Sequence, residues 1–334
     1  MNTDEVRRIA SNFLTDSDVE VVGTESGEYN KAYLLSASSG EYALRTKKKP
    51  LATIPGDIAY EVEFMEKLAA AQSIVHIPTT IRTFSGEVLF EDVDAYYNLQ
   101  TRVPGGQHVK KWYGSHHLSM ADIKELFSTL SQLHNVYRGF EMKGKKNSPT
   151  VFELFAGYRT MLDVKLPSGP FKDALEARRS FLLEKLRSVE EGLRKYNYES
   201  TKRYPVHYDM SACNVLWEEG RIVSLIDFDW VQESTLEFDF ARCIMETAGG
   251  YKEAGSLNNL LDAEKVRIAF DSYNAMSESP FENPRLLEYI IDAGSLFLTF
   301  WSIRTYLEVK DKESYFLSFF RAGLDRLEYP VQFQ

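Results

Sequence analysis

The run Val206-His207-Tyr208-Asp209-Met210-Ser211-Ala212-Cys213-Asn214-Val215-Leu216-Trp217, followed by Leu225-Ile226-Asp227-Phe228-Asp229, constrains this chain more than any other stretch. It sets one Asp five residues before an Asn, between apolar flanks, and after a hairpin-like spacer adds an apolar-Asp-Phe element thirteen residues beyond that Asn. An isolated Asp-x4-Asn carries little information. Joined to the second element it supplies what phosphoryl transfer needs: one carboxylate to meet a hydroxyl, and an amide oxygen and another carboxylate to hold a metal on nucleotide phosphates.

Bulk properties set the frame for that motif. The 334 residues can build two lobes with separate cores. Composition is that of a water-soluble globular chain, 44% hydrophobic and 26% charged, with a net charge of −10. No basic field exists to displace counterions, so nucleic acid is not an expected partner, and an acidic surface suits a cationic small substrate. Only Cys213 and Cys243 occur, which fits a reducing cytoplasm rather than a disulfide framework. The start, Met1-Asn2-Thr3-Asp4-Glu5, lacks the basic and apolar regions of a signal peptide, and the uncharged run from Ala293 to Ile303 is too short to span a bilayer. The expectation is a cytoplasmic protein with no membrane partner. Oligomeric state is not legible.

The hydrophobic pattern changes character near residue 103. Before it, β-type segments at 19–22, 31–35, 41–45, 87–90 and 95–101 alternate apolar and polar residues around turns such as Ser38-Ser39-Gly40. One helix interrupts them, with Asp57 as its cap and Ile58, Val62, Met65, Leu68 and Ala69 at helical spacing. After Val103-Pro104-Gly105-Gly106 the period becomes helical. Ser119 or Asp122 opens a helix striped by Ile123, Leu126, Leu130 and Leu133, and further helices are expected at 171–195, 236–247, 262–276, 286–307 and 312–327. This predicts an α+β chain of two lobes, 1–102 with an antiparallel sheet and one helix, 103–334 larger and mostly helical, with a ligand cleft between them.

These residues resemble the aminoglycoside phosphotransferase and choline kinase superfamily, small-molecule kinases with a bilobal protein-kinase-like fold, from about Val19 to about Glu246. The resemblance implies an ATP- and Mg2+-dependent transfer of the γ-phosphoryl group to a hydroxyl, with GTP as the alternative donor. It makes Asp209 the catalytic aspartate, His207 the organiser of its loop, and Asn214 and Asp227 the magnesium ligands. In the first lobe it implies a phosphate-covering turn at Gly27-Glu28-Tyr29-Asn30, with Gly27 and Asn30 at its ends. It implies a phosphate-binding cation at Arg45, paired with Glu61 rather than Glu63, and base recognition by the backbone of Gln100, Thr101, Arg102 and Val103. The implied acceptor is a hydroxylated, amine-bearing and hence cationic small molecule. Candidates are an aminoglycoside or other antibiotic, or a choline-, ethanolamine- or homoserine-type metabolite. A non-catalytic nucleotide-binding protein and a protein kinase are the other readings. The complete motif speaks against the first, and the missing Asp-Phe-Gly and long helical second lobe against the second.

Tyr208 stands where Gly is usual in the family and Arg45 where Lys is usual, and Asp229 follows Phe228 where protein kinases carry Gly. Other features carry less chemistry. His108, His116 and His117 share a loop with Lys110, Lys111 and Trp112 but lack ligand spacing for zinc. His134 ends an apolar stripe as a packing or capping residue. Cys213 has nothing nearby to activate it. Glu233, Glu237, Asp239 and Glu246 read as a solvated face, with Asp239 resembling a structural position of the family. The acceptor site is expected within 107–200, including Trp112, Tyr113 and the stretch from Val151 to Pro170.

Overall fold

The computed structural model describes residues 1–26, 30–49, 55–71, 74–107, 118–249, 259–308 and 312–332. Helix α1 (Thr3–Ala10) leads into a meander of β1 (Glu20–Ser26), β2 (Asn30–Ala37) and β3 (Gly40–Lys48); then come α2 (Pro55–Ala70), β4 (Thr80–Ile81), β5 (Phe90–Glu91) and β6 (Ala95–Thr101). The strands pair antiparallel in the order β1-β2-β3-β6-β4, with β5 also on β6. Side-chain alternation sorts the two faces. Tyr33, Leu35, Tyr42, Leu44, Tyr97 and Leu99 bury themselves with Val6 and Ile9 of α1 in a small core, so Arg45 and Lys47 on β3 turn to the opposite face. The first lobe thus carries α1 as well as the expected helix. Val6, Ile9 and Ala10 form the buried side of α1, opposite the charged residues Asp4, Glu5, Arg7 and Arg8.

Helix α2 starts at Pro55, so Asp57 lies in its first turn near the positive helix end instead of capping it. Its Tyr60, Phe64, Met65 and Leu68 belong to the larger core of the helical lobe. The Phe64 ring centroid lies 5.0 Å from that of Tyr137 and 6.1 Å from that of Phe228. The helix inserted between β3 and β4 is therefore fastened to the other lobe by its apolar face.

The helical lobe runs α3 (Met120–Tyr137), α4 (Val151–Met161), α5 (Pro170–Lys195), β7 (Tyr204–Val206), β8 (Val215–Glu218), β9 (Arg221–Leu225), β10 (Gln232–Ser234), α6 (Leu236–Thr247), α7 (Ala263–Met276), α8 (Pro284–Glu308) and α9 (Glu313–Glu328). Ser119 and Asp122 cap α3 reciprocally, and Thr150 and Glu153 do the same for α4. That second capping box starts a helix in a stretch expected to shape the acceptor site. The β8–β9 hairpin turns through Glu219 and Gly220, at φ 48° and 78°, as a two-residue type I′ turn requires. By length and composition α8 could cross a membrane, yet 78% of its most apolar window is buried inside the protein.

The crossing between lobes is stitched down. Gly106 and Trp217 exchange two backbone hydrogen bonds (3.0 and 2.8 Å), and Ser224 Oγ donates to the Pro104 carbonyl at 2.6 Å. Gly105, at φ 96°, is obligatory: a Cβ there would sit 2.7 Å from Val223 Cγ2 and 2.9 Å from Leu216 Cβ.

Candidate active site

Between β7 and β10 the chain makes two tight excursions that carry the motif residues, and both contain a non-glycine residue in the left-handed region. Tyr208 has φ 65°, and Asp227 has φ 65° and ψ 68°. The left-handed backbone explains why glycine suits the position of Tyr208. Here the ring offsets that conformational cost by burial, packing 5.9 Å from both Phe238 and Phe297 with the Arg242 guanidinium 5.7 Å above it.

His207 is fully buried and ties the two excursions together. Its Nε2–H donates to the Ile226 carbonyl at 3.1 Å, one residue before Asp227, and its Nδ1 accepts the Asp209 backbone N–H at 3.3 Å. This pattern needs the neutral ring. Burial depresses its pKa to about 4, against the weaker pull of Asp239 and the Ile226 carbonyl, so the brace persists at neutral pH.

Both carboxylate oxygens of Asp209 are held. Asn214 Nδ2 donates to Oδ2 at 2.8 Å and to the Asp209 carbonyl at 2.8 Å, and Arg242 Nη2 lies 3.3 Å from Oδ1. Burial drives the Asp209 carboxyl well above its ordinary pKa and Arg242 opposes this, with Glu246 and Asp227 adding to the rise. Since the Asn214 amide nitrogen is engaged inward, its oxygen remains the group able to meet a cation.

On the sheet side, the pairing differs from the expected one. Glu61 Oε2 binds Lys47 Nζ at 2.9 Å, not Arg45. Lys47 also binds Asp229 Oδ1 at 2.9 Å, while Arg45 Nη2 bridges Asp227 Oδ1 (2.7 Å) and Asp229 Oδ1 (3.0 Å). The reason is register. Arg45 and Lys47 share one face of β3, and only the second lies level with Glu61 on α2. Lys47 is sealed behind this cluster, its side chain 3% exposed, whereas Arg45 lines the cleft. Burial works against the charge of Arg45, but Asp229, Asp227 and Glu61 outweigh it and raise its pKa; Arg45 and Lys47 likewise overcome burial and depress that of Asp229. Asp227 keeps 44% of its side chain open to the cleft although it lies deep among protein atoms. Burial first and Asp229 second push its carboxyl upward, against both cations.

Of these groups Arg45, Asp209, Asn214, Asp227, Asp229 and Arg242 line a cleft of about 970 Å³, whereas Lys47, Glu61 and His207 stand behind it. Gln100, Thr101, Arg102 and Val103 form one wall, but not as four free backbone edges. Thr101 N–H donates to the Thr79 carbonyl and Arg102 N–H to the Glu41 carbonyl, each at 2.9 Å. Val103 N–H has no such partner among the described residues. Gly27 lies outside the described residues; Asn30 begins β2 beside them, opposite Lys47. The opposite wall comes from Trp230, Arg242, Glu246, Leu298, Trp301 and Tyr315. Of the region 107–200 expected to shape the acceptor site, Gln107 lines the cleft and no described residue between 118 and 200 does; Trp112 and Tyr113, like His108, His116 and His117, lie outside the described residues. A separate hollow of about 720 Å³ between α4 and α5, lined by Arg159, Leu183, Glu184 and Arg187, holds none of the motif residues.

Asp239 holds the structural position that the resemblance implies, and Glu246, expected on a solvated face, is buried as well. Every residue of α6 except Glu237 is buried, and Asp239 Oδ2 binds His134 Nε2 at 2.8 Å while His134 Nδ1 meets the Tyr273 hydroxyl at 2.7 Å. Glu246 lies 3.5 Å from Arg242. An apolar run on every side of 236–247 was the available signal, since charges inside such a run need partners.

A sheet lobe over a helical lobe, with a held carboxylate, an amide oxygen and a second carboxylate at their junction, defines a protein-kinase-like phosphotransferase. The chain belongs to the phosphotransferase enzyme family, which matches it over residues 20–276. Its fold is shared with kinases of small molecules. The amicoumacin kinase hAmiN, solved with AMP-PNP, Ca2+ and Ami, has a TM-score of 0.68 at 12% identity over 98% of this chain and 94% of that one. A microcompartment-associated aminopropanol kinase gives 0.69 at 15% identity over 98% of each chain. Choline kinase from Cryptosporidium parvum Iowa II gives 0.63 at 12% over 98% and 97%. No curated protein sequence matches the chain.

Proposed function

We propose that the protein moves the γ-phosphoryl group of ATP, with Mg2+, to a hydroxyl of a small amine-bearing alcohol. The observation that carries this reading is the convergence of Asp209, Asn214, Asp227 and Arg45 on one cleft. Among the described residues no three His, Cys, Asp or Glu side chains could hold a metal by themselves. The donors present, a carboxylate and an amide oxygen, suit a hard cation that completes its shell with phosphate oxygens and water. When bound, the magnesium nucleotide supplies the transferable group and the cation that neutralises its charge. Asp227 and Asn214 would hold that cation, and Arg45 would exchange its carboxylate partners for phosphate. Val103 N–H is the free donor for a nucleotide base. Asp209, immobilised at both oxygens, would orient the acceptor hydroxyl and receive its proton. AMP-PNP in the related hAmiN structure supports an adenine nucleotide, with GTP as the alternative.

Two sizes of acceptor fit the amine-bearing class, and the acceptor wall favours the smaller. Asp209 and Glu246 there are matched by Arg242 and Lys312 among the described residues, leaving no acidic excess for a polycation such as an aminoglycoside. Trp230, Trp301 and Tyr315 line the same wall, and aromatic rings attract a single ammonium group. Two buried, unpaired cysteines agree with a cytoplasmic location.

The test is release of ADP from Mg-ATP or of GDP from Mg-GTP across aminoglycosides, peptide antibiotics, choline, ethanolamine, homoserine and aminated sugars, with Asp209→Asn as the blank. Acceptor-dependent release of the nucleoside diphosphate that vanishes in the variant supports the reading. Absence of nucleotide binding by the unaltered protein overturns it.

A further inference from the structure

The segment 138–150 between α3 and α4 reaches across to α2 and to the Asp227–Asp229 loop at once. The backbone N–H groups of Lys143 and Gly144 donate to the two carboxylate oxygens of Glu63, on α2, at 2.7 and 2.9 Å. Three residues on, Lys146 Nζ donates to the Asp229 carbonyl at 2.9 Å and lies 3.6 Å from Glu61 Oε1. Ser148 then accepts the Glu233 backbone N–H on its hydroxyl at 3.0 Å, just past the same loop. One strap thus touches the helix that positions Glu61 and the loop that presents Asp227.

Charge makes Lys146 the member with consequences. Arg45, Lys47 and Lys146 face Glu61, Asp227 and Asp229, three cations on three carboxylates. Glu61 is buried, and its Oε1 has no hydrogen-bond partner, so Lys146 is the counter-charge on that side. Removing Lys146 leaves the cluster one negative charge in excess where desolvation is costly. Relief would come from Arg45 or Lys47 moving inward or from α2 moving away, and either disturbs the nucleotide side.

We propose that Lys146 is a positioning residue: from the strap it holds α2 against the Asp227–Asp229 loop, so that Lys47 satisfies Glu61 and Arg45 stays available to nucleotide phosphates. Its effect on binding rests on the nucleotide reading above; its effect on α2 does not. The experiment compares Lys146→Met with the unaltered full chain and with Lys145→Ala, an exposed neighbour on the same strap. Amide hydrogen exchange of residues 55–70 is measured, together with Mg-ADP affinity by calorimetry. Expected are exchange at least tenfold faster in α2, about tenfold weaker Mg-ADP binding, and no change in either for Lys145→Ala. If Lys146→Met does not fold, Glu63→Gln weakens the strap without touching the cluster and should speed α2 exchange in the same way. Unaltered α2 exchange in the folded variant overturns the proposal. Failure of the unaltered protein to bind Mg-ADP would overturn the functional reading, and the exchange data would still decide the brace.

Discussion

Lys47 Nζ lies 2.9 Å from Glu61 Oε2 and 2.9 Å from Asp229 Oδ1, while Arg45, two residues earlier on the same strand, contacts neither oxygen of Glu61 within ion-pair distance among the described contacts. Under the proposed function, two tasks that one β3 lysine performs in protein kinases fall to two residues here, the glutamate pair to Lys47 and the phosphates to Arg45. Lys47→Met should leave Glu61 buried without its close partner and cost about 3–5 kcal/mol of folding stability. Arg45→Met should cost less than half of that, because Asp227 opens to the cleft, but should weaken Mg-nucleotide binding. Urea unfolding and calorimetry of each variant check the division; equal stability losses would count against it.

Restoring glycine at position 208 should not stabilise the protein. Releasing the left-handed conformation gains about 1–2 kcal/mol. Losing a fully buried ring among Phe238, Phe297 and Arg242 costs about 3–5 kcal/mol. Tyr208→Gly is therefore expected to be destabilised by roughly 1–4 kcal/mol, the difference of those ranges, and a melting curve at or above that of the unaltered protein would show that packing there is weak.

Asp227→Ala should separate metal from nucleotide. Mg-ADP binding is expected to weaken at least tenfold, whereas ADP in the presence of a chelator should bind as it does to the unaltered protein or better. Parallel titrations with and without Mg2+ make the comparison. An equal loss in both would place the carboxylate on the nucleotide rather than the cation.

Asp292, on α8, gives a pH signature away from the site. Burial raises its pKa to about 7, with Lys185 opposing and Glu288 assisting. The folded-state value is above the ordinary carboxylate range, so the native chain holds a proton that the unfolded chain releases at lower pH. The resulting stability is fully present below about pH 4 and is lost as pH rises through about 7. Asp292→Asn should accordingly melt a few degrees higher than the unaltered protein at pH 8 and equally at pH 4. The opposite order would mean that Lys185 dominates.

Sequence alone determined the motif, because its parts are local. Asp209, Asn214 and Asp227 are joined by one loop and one hairpin, so spacing along the chain nearly dictates spacing in space. The helices at 236–247 and 171–195 were legible for a similar reason, as hydrophobic period is a property of neighbours. Thr150 and Glu153 likewise marked the start of α4 by a local rule, one that the sequence reading passed over. Tertiary structure decided what depended on distant segments. Arg45 and Lys47 occupy equivalent positions in the strand pattern, and only the height of α2 over β3 chose Lys47 for Glu61. Lys146, in a polar loop, carried no local mark and became part of the site only because α3 delivers it to the Asp229 carbonyl. The cleft wall proposed for the acceptor gathers Trp230, Glu246, Trp301 and Tyr315 from separate elements. Such side chains meet because burying their apolar surroundings packs those elements together, and that free energy belongs to the whole core rather than to any one stretch of sequence.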